Sequence, residues 1–169
     1  MADIDFRPID PVGDRDLYLT FGRDLLTHNF GTPDVFTRHF GRDGAGYVDW
    51  MTARAADGPR FAEFVTAGEA VIGMIVLGTW KNDPSVGYVN HYYLVPAWRG
   101  RGLGGRLDDR AVETLRRAGY RRLRLSTMPA NAAATALYRR HGWVEAGPRE
   151  GGEGAVYFER VLDLPRPGV

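Results

Sequence analysis

The chain has 169 residues, of which 44% are apolar and 25% are charged, and its formal net charge is +1. This length suits one domain with a sizeable core, and the near-neutral charge gives no reason to expect a nucleic-acid partner. The sequence contains no cysteine, which excludes disulfides, thiolate metal ligands and any covalent cysteine intermediate. We expect a single domain over residues 1–164, followed by a loose C-terminal tail over residues 165–169.

Motif spacing excludes further classes of protein. The four histidines (His28, His39, His91 and His141) show no metal-ligand spacing, and neither serine lies in a Gly-x-Ser-x-Gly motif. We therefore predict neither a metal site nor a serine hydrolase. No apolar run approaches the ~20 residues of a membrane span, and the acidic N-terminus lacks the features of a signal peptide. A cytoplasmic protein without a membrane partner is expected.

The N-terminal part predicts one edge strand followed by helices. Ile4, Phe6 and Ile9 lie in a short apolar-polar stretch that is ended by Pro8 and Pro11, which is typical of an edge strand. Apolar residues then recur at helical spacing from Asp14 to about His28. Thr32-Pro33 reads as an N-cap followed by proline at the first helical position, which predicts a second helix to about Phe40. Another short helical stretch is expected over Tyr47–Ala56.

After Gly58-Pro59 the hydrophobic period changes from helix to strand. Phe61–Thr66 and Ala70–Trp80 are strand-like, and a tight turn at Ala67–Glu69 joins them. A second turn at Asn82–Ser85 leads into the central strand. Three sequential strands with short turns predict an antiparallel meander.

The central strand leads into a glycine-rich turn and a helix. The strand over Tyr88–Val95 is ended by Pro96. A glycine-rich turn over Arg99–Gly105 then runs into a helical pattern over Gly104–Ala118, whose first residues it shares. A helix N-terminus carries unpaired N–H groups and about half a positive charge, and glycines let an anion approach them. We predict a pyrophosphate ligand. The turn lacks the Gly-Lys-Ser/Thr of a P-loop and fits the dinucleotide fingerprint poorly.

The C-terminal part predicts a parallel crossover and a final hairpin. A strand over Arg121–Met128 follows the helix, which implies that it lies parallel to the central strand. The next helix begins at an Asn131 N-cap and stops at Gly142. Strands over Trp143–Ala146 and Ala155–Leu162 flank a turn at residues 151–154. The predicted order is βααβββαβαββ.

Two stretches of the sequence resemble the GNAT superfamily of N-acyltransferases. Arg99-x-x-Gly102-x-Gly104 matches its central motif, which holds the pyrophosphate of acetyl-coenzyme A. The stretch Asn131-x-x-Ala134-x-x-Leu137-Tyr138-x-x-x-Gly142-Trp143 matches its second signature. The resemblance is specific over Tyr88–Trp143. It implies an α/β (α+β) GNAT fold with a mixed, mostly antiparallel sheet of six to seven strands. About four helices would flank this sheet, which would splay at the strand before the loop.

The resemblance also implies an activity and a set of ligand-binding residues. It implies an N-acetyltransferase that passes an acetyl group from acetyl-CoA, its co-substrate, to a primary amine of a small molecule or peptide. Direct attack in a ternary complex is expected, because no cysteine can carry the acyl group. An inactive acyl-CoA-binding sensor is the alternative, and a homodimer is left open. The implied cofactor-binding residues are Tyr93, Leu94, Val95, Arg99, Gly100, Arg101, Gly102, Leu103, Gly104, Gly105, Asn131 and Tyr138.

The resemblance indicates a proton donor for the reaction but leaves the proton acceptor unassigned. Tyr138 matches a tyrosine that protonates the departing thiolate in many members, and a packed helical aromatic is the alternative. The family's glutamate base has no counterpart, since the central strand carries no carboxylate. His91 is the group on that strand expected to titrate near neutrality, and a structural histidine is the alternative. Glu69, Asp83 or bulk water remain open as bases.

Two further groups of residues carry an expectation, the aromatic residues of the N-terminal helical segment and a run of arginines. GNAT folds place the N-terminal helical segment beside the acceptor, so some of its aromatic residues are expected to line an apolar pocket. These are Phe30, Phe36, Phe40, Tyr47 and Trp50. The second group is a run of arginines with few interleaved aromatic residues, which indicates a solvated surface rather than a nucleic-acid site. These are Arg116, Arg117, Arg121, Arg122 and Arg124. Arg106 is instead grouped with Arg99 and Arg101, which either neutralise the phosphates of coenzyme A or are solvated charges.

Overall fold

The computed structural model describes residues 2–152 and 154–163. The expected tail at 165–169, the last residue of the expected domain and one residue of the turn at 151–154 lie outside this description. The elements are β1 (Asp5–Pro8), α1 (Arg15–Phe30), α2 (Asp34–Phe40), α3 (Ala45–Asp57), β2 (Ala62–Ala67), β3 (Ala70–Thr79), β4 (Val86–Leu94), a short 3-10 helix (Pro96–Trp98), α4 (Gly104–Arg117), β5 (Arg122–Thr127), α5 (Ala132–Arg140), β6 (Val144–Pro148) and β7 (Val156–Val161).

The described strands form one mixed sheet in the order β1-β2-β3-β4-β5-β7-β6. The predicted parallel crossover is confirmed, since β4 and β5 run parallel, while β1/β2, β2/β3, β5/β7 and β6/β7 run antiparallel. The parallel register joins Val86–Val89 to Arg122–Leu125, so the last residues of β4 lie beyond it.

The N-terminal part contains three helices, which confirms the three helical stretches predicted there, although the order βααβββαβαββ counts only two of them. Gly41 and Gly44 adopt φ values of +83° and +75°, a region that favours glycine, and they separate α2 from α3. The described chain has five α-helices, which correspond to the five helical stretches predicted from the sequence. None of the described helices combines the length and apolarity that a membrane crossing requires.

The described chain divides into two compact units. The first comprises residues up to Val76 together with His91–Gly102, and the second comprises Leu77–Asn90 together with residues from Leu103 onward. The expectation of a single domain stays a prediction.

The core of the first unit is aromatic. Phe21 of α1 packs edge-on against Phe64 of β2 at 5.8 Å and lies 4.8 Å from the ring of Tyr93 on β4. Tyr47 of α3 is fully buried in the same cluster. A Cβ added at Gly73 of β3 would lie 2.1 Å from the carbonyl oxygen of Tyr93, so only glycine fits where these strands meet.

The core of the second unit is built by α4, α5 and the strands beneath them. The predicted apolar spacing of α4 is confirmed, because Leu107, Ala111 and Leu115 are all buried. On α5, Tyr138 packs against Phe158 of β7 at 5.9 Å. This contact places α5 on the face of the sheet that Phe158 occupies.

Candidate functional site

The end of β4 presents backbone groups on the side that faces away from β3. Val95 N–H donates to Ile72 O of β3 at 2.8 Å. Because successive residues of a strand turn their polar backbone groups to opposite sides, Leu94 points away from β3. The Leu94 carbonyl accepts a hydrogen bond from Arg99 Nε at 2.8 Å. The strand end and the glycine loop are therefore tied together within the first unit.

Arg99 is held by a second contact that the sequence did not indicate. Its Nη2 donates to Asp24 Oδ2 on α1 at 2.9 Å, and the Tyr93 hydroxyl donates to the same oxygen at 2.6 Å. Burial and the neighbouring Asp24 raise the pKa of Tyr93, so its phenol stays protonated as a donor. Asp24 and Arg99 are 75 positions apart, and no local pattern marks this aspartate.

The loop after Arg99 combines left-handed glycines with a second arginine. Gly100 and Gly102 adopt φ values of +71° and +77°, a conformation that a side chain at these positions would strain. The Arg101 guanidinium lies 4.7 Å from the centroid of the Trp98 ring. Asp24 neutralises the charge of Arg99, but no carboxylate among the described residues pairs with Arg101.

The N-terminus of α4 offers main-chain donors. Leu103 is its N-cap residue, and no side chain of the described residues caps this end of the helix. A Cβ at Gly104 would lie 2.8 Å from Leu137 Cδ2, so glycine permits close packing of α4 on α5. Uncapped N–H groups at a helix start bind anions, and the helix dipole adds to this effect. The donor set fits a phosphate group.

Both ends of α5 follow the local sequence signals. Asn131 Oδ1 accepts from Ala134 N–H at 3.2 Å, which confirms the predicted N-cap. At the other end Gly142 has φ +84°, and Trp143 N–H donates to Tyr138 O at 2.9 Å. This is a Schellman motif, and the Tyr138 and Trp143 rings pack at 6.3 Å beside it.

Tyr138 is a buried phenol. Its side chain is 8% exposed, and burial, followed by the charge of Asp108, raises its pKa well above the ordinary value. The phenol therefore stays protonated at neutral pH, the state that a proton donor requires. The raised pKa also makes it a weaker acid than a solvated tyrosine.

A buried ion-pair network is centred on Asp108, whose charge acts on Tyr138. Asp108 of α4 is fully buried, and its Oδ1 accepts from Trp143 Nε1 at 3.0 Å. Its Oδ2 lies 3.2 Å from His141 Nδ1 and 3.4 Å from Arg160 Nη1. Asp109, Asp108 and His141 offer ligand atoms within 4.8 Å of one another. Because Asp108 already accepts from an arginine and an indole, the group is organised as an ion-pair network rather than a cation site.

His91 lies on β4 within an aromatic stack of the first unit. Its ring is 6.0 Å from the Tyr47 ring at an interplanar angle of 18°, and 4.9 Å from the Trp50 ring. Tyr47 and Phe36 are fully buried, so they belong to the core rather than to a pocket lining. Trp50 and Phe40 pack partly buried against this core. Phe30, Phe40 and Trp50 are the members of the predicted aromatic set that retain exposed surface, and of these Trp50 lies beside His91.

The other base candidates lie in turns. Glu69 is exposed between β2 and β3. Asp83 lies between β3 and β4 and accepts hydrogen bonds from Ser85 N–H and Oγ at 2.9 and 2.7 Å. These hydrogen bonds lower the pKa of Asp83, which makes it a weaker base.

The arginine run is largely ion-paired. Arg116 and Arg117 donate to Glu113, and this pairing lowers the pKa of Glu113 to about 2. On β5, Arg122 and Arg124 donate to the carboxylate of a β7 glutamate. Four of these positive charges are therefore compensated by carboxylates, on α4 itself or on the neighbouring β7, whereas Arg121 donates to backbone carbonyls.

The comparisons with known proteins agree with this geometry. The chain matches the profile of the Acetyltransferase (GNAT) family over residues 24–143. It is 34% identical over 127 residues to an L-methionine sulfoximine/L-methionine sulfone acetyltransferase of Pseudomonas paraeruginosa, a match that covers 72% of this chain and 71% of that protein. Two further relatives are 37% and 34% identical over 73 and 76 residues, and the chain spans only 25% and 50% of their lengths.

Solved structures share the fold at low sequence identity. The Salmonella typhimurium acetyltransferase yncA, solved with acetyl-CoA, superposes with a TM-score of 0.76 at 20% identity and covers 99% of both chains. The PaiA N-acetyltransferase of Thermoplasma acidophilum, solved with coenzyme A, has a TM-score of 0.76 at 14% identity and covers 95% of this chain and 99% of that one. On the profile match and the sequence relative, this chain belongs to the acetyltransferase (GNAT) family.

Proposed function

We propose that this protein transfers an acetyl group from acetyl-CoA to a primary amine of a small molecule or peptide. The observation that carries the proposal is the Arg99–Gly104 loop, which leads into an uncapped α4 N-terminus inside the region that matches the family. Left-handed glycines, an unneutralised arginine and free main-chain donors are the features that a pyrophosphate needs.

The two arginines of the loop have different roles in this proposal. Arg101 donates to a phosphate of the bound coenzyme, because no described carboxylate neutralises it. Arg99 positions the loop, because Leu94 and Asp24 already engage its guanidinium. Within Tyr93–Val95, the Leu94 main chain, which faces away from β3, pairs with the pantetheine arm in the manner of an added strand. Asn131 keeps its N-cap bond and offers its amide to the same arm.

The chemical step needs one proton acceptor and one proton donor. When bound, acetyl-CoA supplies a thioester, whose C–S bond breaks as the amine nitrogen forms a C–N bond. His91 accepts the proton that the amine must lose, since β4 carries no carboxylate. Tyr138 donates its phenolic proton to the departing sulfur, and its raised pKa ensures that this proton is present.

The Pseudomonas relative supports a small-molecule acceptor. That protein is named for L-methionine sulfoximine and L-methionine sulfone, which are small amines. Trp50 and Phe40, which pack partly buried in the first unit with Trp50 beside His91, would contribute apolar surface to such an acceptor site.

A second candidate function is an acyl-CoA-binding sensor without chemistry. The observation that favours it is the missing carboxylate on β4, together with the packing of His91 against two aromatic rings. Binding of acetyl-CoA is common to both functions, and only amine-dependent turnover separates them.

Coenzyme A release tests the proposal directly. The chain has no cysteine, so a thiol reagent reports only the thiol of released coenzyme A. We expect steady-state release that depends on both acetyl-CoA and an amine. Acetyl-CoA at a hundred times its Kd should also stabilise the fold by about 2.7 kcal/mol. Stabilisation without release for any amine would indicate the sensor, and the absence of both would refute both functions.

A further inference from the structure

A polar cluster lies on the sheet of the second unit, on the face opposite α5. Leu125 of β5 pairs with Phe158 of β7, whose ring contacts α5. The next residue pair, Ser126 and Tyr157, therefore faces the other way. Tyr88 of β4 donates to Ser126 Oγ at 3.0 Å, and Arg149 Nη1 donates to the same oxygen at 3.2 Å. A guanidinium and two hydroxyls thus meet where the parallel register of β4 and β5 ends.

The turn between β6 and β7 is shaped around Arg149. Arg149 N–H donates to Ala155 O at 2.8 Å, and Gly152 N–H donates to Arg149 O at 3.1 Å. A Cβ at Gly152 would lie 2.9 Å from three carbons of the Arg149 side chain. The glycine therefore lets the turn close over the aliphatic stem, which holds the guanidinium toward Ser126.

The charge of Arg149 has no carboxylate partner among the described residues. Arg124, on the same face, differs in this respect: its guanidinium donates to Glu159 at 2.9 Å and lies 4.2 Å from the Trp80 ring centroid. Arg149 is instead partly buried and donates to a neutral hydroxyl. A partly buried cation without a counter-charge favours the binding of an anion.

The hydrogen-bond donors of the cluster also favour the binding of an anion. Arg149 can only donate, and Tyr88 and Ser126 share one hydrogen bond between their hydroxyls. Because Tyr88 donates in that bond and Arg149 also donates to Ser126 Oγ, the hydroxyl proton of Ser126 remains available. Burial raises the pKa of Tyr88, which keeps its phenol neutral beside the guanidinium. The cluster therefore offers several donors and no negative charge.

We propose that Arg149, Ser126 and Tyr88 form a subsite for a carboxylate on the acceptor, so that the amines acetylated by this protein are amino acids. The inference rests on the proposed acetyl transfer. Arg149 binds the acceptor carboxylate with two N–H groups, and a hydroxyl proton of the Ser126–Tyr88 pair completes the site. This contact orients the α-amine and selects acids over neutral amines of the same shape.

Matched substrates and variants test the subsite. Thiol release is measured for L-amino acids and for the corresponding L-amino acid amides, with wild type, Arg149→Gln and Arg149→Lys. We expect the wild type to prefer the acids, and Arg149→Gln to raise KM for acids at least about tenfold while it changes KM for amides less than about twofold. Arg149→Lys should recover part of the loss. Arg121→Gln is the charge-matched control and should behave as wild type, because among the described residues the Arg121 side chain donates only to backbone carbonyls.

A binding measurement separates this inference from the proposed function. Calorimetry with coenzyme A present reports amino acid binding even if no turnover occurs. Binding of acids that Arg149→Gln abolishes, without turnover in the wild type, would refute the acetyl transfer and retain the subsite. Turnover with equal preference for acids and amides, or an equal effect of Arg149→Gln on both, would overturn the subsite and retain the acetyl transfer. Loss of activity accompanied by a lower Tm in Arg149→Gln but not in Arg149→Lys would also count against it.

Discussion

Substitution of Asp108 by asparagine tests the buried network that joins α4, α5 and β7. The carboxylate is fully buried and accepts from Trp143 through one oxygen. Its other oxygen faces His141 and Arg160. Asparagine keeps the shape and the bond to Trp143, but its amide nitrogen would face two donors. The variant therefore isolates the charge and the second oxygen.

The expected cost follows from the exposure of the partners. Breaking a buried ion pair by removing one partner costs about 3–5 kcal/mol. The side chains of His141 and Arg160 are 25% and 28% exposed, so water can partly solvate them after the change. We therefore expect the free energy of unfolding to fall by about 2–3 kcal/mol, less than for an ion pair whose partners are all buried. For a chain of this size, such a loss corresponds to a decrease in Tm of roughly 4–12 °C.

Urea denaturation followed by circular dichroism measures this loss. Asp109→Asn is the matched control, because Asp109 is the next residue of α4, its side chain is 76% exposed and it lies 3.8 Å from His141. The control should change stability by less than about 0.5 kcal/mol. The reasoning is refuted if Asp108→Asn unfolds at the urea concentration of wild type, or if both variants lose the same stability.

Three further substitutions test the site and the fold. Tyr138→Phe should lower kcat by roughly a hundredfold, as measured by thiol release, because it deletes the proton donor and keeps the packed ring. Arg101→Gln should raise the Kd of acetyl-CoA about tenfold by calorimetry, because it removes an unneutralised charge from the loop. Hydrogen bonds from Arg7 lower the pKa of Asp14, so ionised Asp14 stabilises the fold above its unfolded pKa of about 3.9. Asp14→Asn should cost under about 1 kcal/mol at neutral pH, and this cost should shrink as the pH falls below about 3.9, as measured by urea denaturation.

Controls accompany each of these substitutions. Tyr120→Phe removes a phenol that bonds Thr79 and should leave kcat unchanged. Arg117→Gln removes an exposed charge from the C-terminal end of α4 and should leave the Kd unchanged. If Tyr138→Phe retains wild-type turnover while chemistry limits the rate, Tyr138 is only packing. A cost of Asp14→Asn that persists undiminished at low pH would show that the ionised carboxylate is not its source.

Local signals predicted the elements whose ends are encoded by neighbouring residues. Helix α5 shows this well, because Asn131 supplies the cap and Gly142 supplies the left-handed residue that ends the helix. The start of α2 was predicted less well. Thr32-Pro33 suggested a cap at Thr32, but Pro33 is the N-cap residue and the helix begins at Asp34. Thr32 Oγ1 nevertheless accepts from Asp34 N–H at 3.3 Å, which is the hydrogen bond expected of a cap at Thr32.

Contacts between distant residues could not be predicted in this way. The sequence placed β6 and β7 in succession, but β7 pairs with β5 and β6 lies at the edge, which only long-range packing decides. In the same way, the sequence assigned Arg99 to the pyrophosphate, and only the fold brings Asp24 to its guanidinium. The loop sequence shows two arginines but not that Asp24 neutralises Arg99, so the sequence cannot distinguish Arg99 from Arg101.

The most direct test of the acetyl transfer is mass spectrometry of the acceptor. Wild-type protein is incubated with isotopically labelled acetyl-CoA and a mixture of primary amines, and the products are fragmented to locate the label. The account predicts acceptors that carry one labelled acetyl group on nitrogen, in an amount equal to the coenzyme A released. Released coenzyme A without any labelled amine, or label found only on oxygen, would contradict it.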